Sequence, residues 1–153
     1  MGKVVYFWAV VWGLLVSIAW AGPVGSSDVS RTAPVIVTPA PGSSDRRGIL
    51  DAVRRMVPTS QEFDSKFKVN HLKVVGGWAY LRCNEIIRVE REWQETDLTV
   101  VALLRREGAG PWVVRDYWAL PTESERPYRR FQDAVRDLRR QHQLPDALFP
   151  SDP

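Results

Sequence analysis

The side chains of this chain that can do chemistry are two histidines, one cysteine and a few acidic residues set within apolar stretches. His71 stands next to Asn70 where an alternating apolar pattern slips, and Asp116 interrupts an apolar run between Arg115 and Tyr117. A histidine and a carboxylate meeting in a sheet-lined pocket form a general base, so His71 and Asp116 are the catalytic candidates. The plainer alternative is a partly exposed His71 and an Asp116 paired with an arginine on a neighbouring strand. Cys83 is the only cysteine, so no intramolecular disulfide can form. Its apolar neighbours raise a thiol pKa rather than activate it. His71 and His142 are the only histidines and neither sits at a metal-ligand spacing, so no metal or other cofactor is expected. No Gly-rich phosphate loop, nucleophile elbow or paired-cysteine motif is present in the sequence.

A second set of candidates is suited to binding. Trp118, Tyr117 and Arg115 combine aromatic faces with a guanidinium and are the ligand-binding candidates. Trp78 and Trp112 read as core. Arg129, Arg130, Arg136, Arg139 and Arg140 crowd one segment, but Asp133 and Asp137 lie three or four residues from several of them and partly neutralise that face. The formal net charge of +3 is too small for a nucleic-acid footprint, so nucleic acid is not expected as a partner.

These residues must be held by the elements around them. Lys3 precedes the uncharged run Val4 to Ala21, which ends Ala19-Trp20-Ala21. That is the pattern of a secretory signal peptide cleaved between Ala21 and Gly22. Retention as a membrane anchor is the alternative, since the run is just long enough to span a bilayer. Residues 22–44 are rich in Pro, Gly, Ser and Thr and read as a disordered linker. The remaining 45–150 read as one α+β domain.

Ile49, Leu50, Val53, Met56 and Val57 make one helical stripe, capped at Ser44 or Asp45 and stopped by Pro58. From Phe67 the period becomes two, slipping between Val69 and Leu72 in the manner of a bulge at Asn70-His71. Gly76-Gly77 is a two-residue hairpin turn. Trp78 to Val89 returns, with a bend at Asn84-Glu85. Gln94 to Thr96 reads as a turn, and Leu98 to Leu104, apolar on both faces, as a central strand. Trp112 to Leu120 gives a fourth strand with Trp112, Val114 and Trp118 on one face and Val113, Tyr117 and Ala119 on the other. A last helix from about Ser124 to Gln141 buries Tyr128, Phe131, Val135 and Leu138, and Leu144 to Phe149 folds back on the core. The expected architecture is a four-stranded antiparallel meander with an N-terminal and a C-terminal helix on one face (α-β-β-β-β-α).

The stretches Arg47 to Arg54, Leu72 to Tyr80, Asp97 to Arg106, Gly110 to Val114 and Leu144 to Phe149 together resemble a family of uncharacterised bacterial exported domains, some of whose members carry SH3-like modules. The strand layout is also similar to cystatin-like and NTF2-like folds. The resemblance implies the α+β fold and export and carries over no catalytic residue, because such folds host binders, inhibitors and enzymes alike.

The expected function is a non-catalytic binding module of the bacterial cell envelope, periplasmic or secreted. Its partner would be a protein or an anionic envelope component, and it would meet a membrane only if the signal segment is retained. The alternative is an NTF2-like small-ligand carrier or cavity enzyme using His71 and Asp116. A structural role through dimerisation at a sheet edge is a third possibility.

Overall fold

The computed structural model describes residues 34–57, 59–60, 62–121 and 126–151. The expected signal peptide and its Ala21–Gly22 cleavage site, the linker up to residue 33, Pro58 and the Ser124 cap lie outside them.

Helix α1 (Ser44–Arg54) is followed by strands β1 (Ser65–Val75), β2 (Trp78–Val89), β3 (Glu92–Arg105) and β4 (Val113–Leu120), then helix α2 (Arg126–His142) and a single 3-10 turn at Asp146–Leu148. The strands form one antiparallel sheet in the order β1-β2-β3-β4, so the α+β meander with a helix at each end is the fold. Among the described residues no helix is long and apolar enough to cross a membrane.

The helices do not share a face. Ile49, Ala52 and Val53 of α1 pack with Leu72, Val74, Ala79, Leu81, Cys83, Val100, Ala102 and Leu104. Val135 and Leu138 of α2, with Leu144, Leu148 and Phe149 behind them, pack instead with Val75, Trp78, Tyr80 and Leu103. The strand residues of the two sets alternate along the chain, so they project from opposite faces. One layer of helix on each side explains why β3 is apolar on both faces from Val100 to Leu104.

Local chemistry sets the boundaries. Ser43, one residue before the expected caps, accepts the Arg46 amide at 3.3 Å and starts α1. Gly76 (φ 52°) and Gly77 (φ 78°) supply the two positive φ values that a tight β1–β2 turn requires. A Cβ at Gly77 would sit 2.6 Å from the Arg106 carbonyl oxygen, so this glycine also lets β3 approach. The β2–β3 turn lies at Glu90-Arg91, with Glu90 at φ 56°. It is not at Gln94–Thr96, which is strand. Helix α2 ends with Gln143 at φ 50° and the Leu144 amide bonded to the Arg139 carbonyl at 3.0 Å, a Schellman closure.

Backbone pairing also reaches back past the expected domain start at Asp45. Val37 exchanges two hydrogen bonds with Val74, at 2.9 and 2.8 Å, on the outer edge of β1. Ile36 packs on the α2-side core and Pro39 is buried. Four β-branched residues, Val35 to Thr38, flanked by Pro34 and Pro39 lay this short segment against a strand edge.

Candidate functional site

The bulge between Val69 and His71 decides which side chains of β1 share a face. Phe67 and Val69 pack on the α1-side core, and so do Leu72 and Val74. The extra residue between the two pairs absorbs the change of phase. Lys66, Lys68, His71 and Lys73 therefore all project from the opposite face, the one α2 partly covers.

On β2, Leu81 and Cys83 point to α1, which sends Arg82, Asn84, Ile86 and Arg88 the other way. Register places Lys66 beside Ile86, Lys68 beside Asn84 and His71 beside Arg82. On β3, Trp93 pairs with Arg88 and Glu95 with Ile86. The result is an open band of sheet, beyond the reach of α2, that presents Lys66, Lys68, Arg82 and Arg88 with Glu95 as its carboxylate.

Contacts within the band hold some of these side chains. The Lys66 ammonium lies 4.2 Å over the ring of the part-exposed Trp93. Lys68 pairs with Glu95. Asn70 donates to Asn84 Oδ1 at 2.7 Å, and Asn84 donates to Glu95 Oε2 at 3.3 Å. Arg82 and Arg88 are exposed, and neither is in an ion pair among the described residues. Their planar forks are open to an anion.

Further along the same face a groove of about 570 Å³ runs between α2 and the C-terminal segment, lined among others by Lys73, Tyr80, Tyr128, Arg136, Arg139 and Phe149. Its cations are engaged: Lys73 donates to the Ala147 carbonyl at 3.0 Å, Arg136 meets Asp133 at 3.0 Å and Arg139 pairs with Asp146. The groove is therefore a packed seam with a polar rim.

The catalytic candidates are not brought together. His71 Nε2 meets the Leu148 carbonyl at 2.9 Å, and its ring stands edge-on to Tyr80. Asp116 accepts the Tyr117 amide at 2.8 Å. The first is on β1 and the second on β4, with β2 and β3 between, so three strand spacings of ~4.8 Å separate them by about 14 Å. His71 fastens the C-terminal segment, and Asp116 braces a local kink.

The binding candidates also part company. The register shift between Leu103 and Leu104 marks Arg115 as a bulged residue. Past it the phase reverses, so Tyr117 joins Trp112 and Val114 on the α1 side, while Trp118 stacks on Tyr128 of α2 at 4.6 Å. The expected grouping of Trp112 with Trp118 fails for this reason. The Tyr117 hydroxyl donates to the Met56 carbonyl at 3.3 Å, and Arg115 points to solvent. Trp78 and Trp112 are core, as expected. Burial pushes the Cys83 thiol up to about 12, against a smaller opposing pull from Arg54, so it is a neutral packing group at ordinary pH.

Sequence reasoning passed over Glu85, which is only 4% exposed. Its position in the inward phase after Leu81 and Cys83 was the signal. It also passed over the four strand cations, because their common face emerges only once the β1 bulge is placed.

Comparison of the chain with protein-family models, with curated proteins and with solved structures gives no match.

Proposed function

We propose that the domain is a non-catalytic binding module of an exported envelope protein, and that the open band of its sheet takes an anionic, phosphate-bearing envelope component. The observation that carries this is the projection of Lys66, Lys68, Arg82 and Arg88 from one face, three of them (Lys66, Arg82 and Arg88) without an ion pair among the described residues. A basic side chain near an anionic surface contributes about 1 kcal/mol, so four give weak, reversible and salt-sensitive binding. Trp93 adds an aromatic face at the far end of the band. The alternative carrier or enzyme needs His71 and Asp116 in one cavity, whereas they stand on opposite edge strands.

The test is binding of the full chain to phosphatidylglycerol vesicles and, separately, to inorganic polyphosphate, with phosphatidylcholine vesicles as the uncharged control. Binding to either anion but not the control, lost in an Arg82→Glu/Arg88→Glu variant of unchanged melting temperature, supports the reading. The arm that responds tells a lipid headgroup from a soluble polymer. No binding in low salt, or binding that survives the charge reversal, overturns it.

A further inference from the structure

We propose that a second pocket, between the first turns of α1 and the β3–β4 loop, takes a neutral amide group, carried by a peptide or by an acetamido sugar. It lies on the α1 side of the domain and is independent of the basic band.

The pocket measures about 410 Å³ and is lined among others by Asp45, Gly48, Asp51, Arg55, Arg106 and Trp112. Two of its donors, Arg106 Nε and Trp112 Nε1, are buried with no acceptor among the described residues. Trp112 as a whole is 4% exposed. An N–H shut away from water and left unpaired destabilises the fold, and a ligand acceptor removes that cost. That two such donors line one pocket points to a group that accepts twice.

The surroundings narrow the chemistry. Arg106 uses its two terminal nitrogens on the Asp45 carboxylate, with its guanidinium carbon 4.6 Å above the Trp112 ring. Of its three nitrogens only Nε has no partner among the described residues. The Cδ1–Nε1 edge of Trp112 lies against Gly48, where a Cβ would come within 3.1 Å of Cδ1 and 3.9 Å of Nε1. The pocket wall is thus lowest at the indole N–H. Asp45 pairs with Arg106 and Asp51 with Arg54 at 3.1 Å, so each carboxylate of the pocket already has its cation.

A neutral amide fits each of these demands. Its carbonyl has two lone pairs for the two donors, and its N–H meets the lone pairs that Asp45 has left after Arg106. A carboxylate would offer the same acceptors but has no N–H to give to Asp45. Both donor atoms are closed to solvent, so the amide reaches them as Arg106 swings off the indole ring.

The indole N–H reports directly. In proton–nitrogen correlation spectra of the isotope-labelled full chain, the Trp112 indole signal is identified by its loss in Trp112→Phe. N-acetylglucosamine, N-acetylalanine methylamide and sodium acetate are then titrated. The expected result is a saturable shift of the Trp112 Nε1–H and Arg106 Nε–H signals with one of the amides and none with acetate. Which amide acts tells sugar from peptide. Silence with both amides, or an equal response to acetate, overturns the proposal. If Trp112→Phe does not fold, the same signal is identified by its displacement in Gly48→Ala, whose methyl narrows the pocket. That variant is expected to weaken amide binding about tenfold, and unchanged affinity there also overturns the proposal.

Discussion

Glu85 Oε1 accepts the Ser60 amide at 2.8 Å, tying the loop after α1 to the middle of β2. The other carboxylate oxygen accepts the Thr96 hydroxyl at 3.2 Å, at the point where β3 departs from register with β2. A buried carboxylate is stable only when its oxygens are satisfied in this way, and here the two bonds brace two irregular stretches of backbone at once.

Glu85→Ala is therefore expected to cost about 1–3 kcal/mol, because it leaves the Ser60 amide without its acceptor and the Thr96 hydroxyl with only the Glu85 backbone carbonyl at 3.5 Å. Glu85→Gln, which keeps an oxygen for Ser60, is expected to cost less. Urea denaturation of the three proteins checks the order.

The buried thiol of Cys83 makes a prediction about pH. Its pKa is raised to about 12 in the folded chain, whereas the unfolded thiol ionises near 8.5. The folded state thus binds one more proton in that interval, and its stability is full below the unfolded value and falls as pH rises toward the folded one. Relative to Cys83→Ala, the wild type is expected to lose about 1.4 kcal/mol per pH unit across the interval. Paired denaturation curves from neutral to alkaline pH measure it. A difference that stays flat across that range would place the thiol in water.

The two hairpin glycines differ in what surrounds them. Gly76→Ala meets no atom within 4 Å, so it carries only the cost of positive φ, about 1–2 kcal/mol. Gly77→Ala adds a contact of 2.6 Å with the Arg106 carbonyl oxygen and is expected to cost several kcal/mol, about the sum of two backbone strains. Melting temperatures of the two variants should separate clearly in that order.

Leu148, fully buried among α2-side residues, anchors the C-terminal segment. Leu148→Ala is expected to destabilise by about 2–5 kcal/mol, against less than about 0.5 kcal/mol for Val113→Ser at a half-exposed site. Hydrogen exchange should show the loss first at residues 146–149.

Much of this fold could be read from the chain. Gly76-Gly77 announced its hairpin because few other residues accept those φ values, and the slip from Val69 to Leu72 announced a bulge because apolar side chains must reach the core on both sides of it. The β2–β3 turn was hidden because Glu90 takes a positive φ without being glycine. Gln94–Thr96 looked like a turn because strands that extend beyond their helices turn polar. Trp118 was assigned to the wrong face because nothing in the apolar pattern marks the bulge at Arg115. The basic band was least legible. Lys66, Lys68 and Arg82 share a face only through pairing between strands, and their exposure depends on where α2 stops.

Both ends of the described domain are fastened to β1. Val37 pairs with Val74, and the Leu148 carbonyl meets His71 on the same strand. Three residues of strand separate these attachment points, about 10 Å. In topological terms the domain is nearly a closed ring, open at one strand. A short peptide joining the two ends, with new termini cut in the exposed loop 107–110, would leave the pairing of all four strands intact.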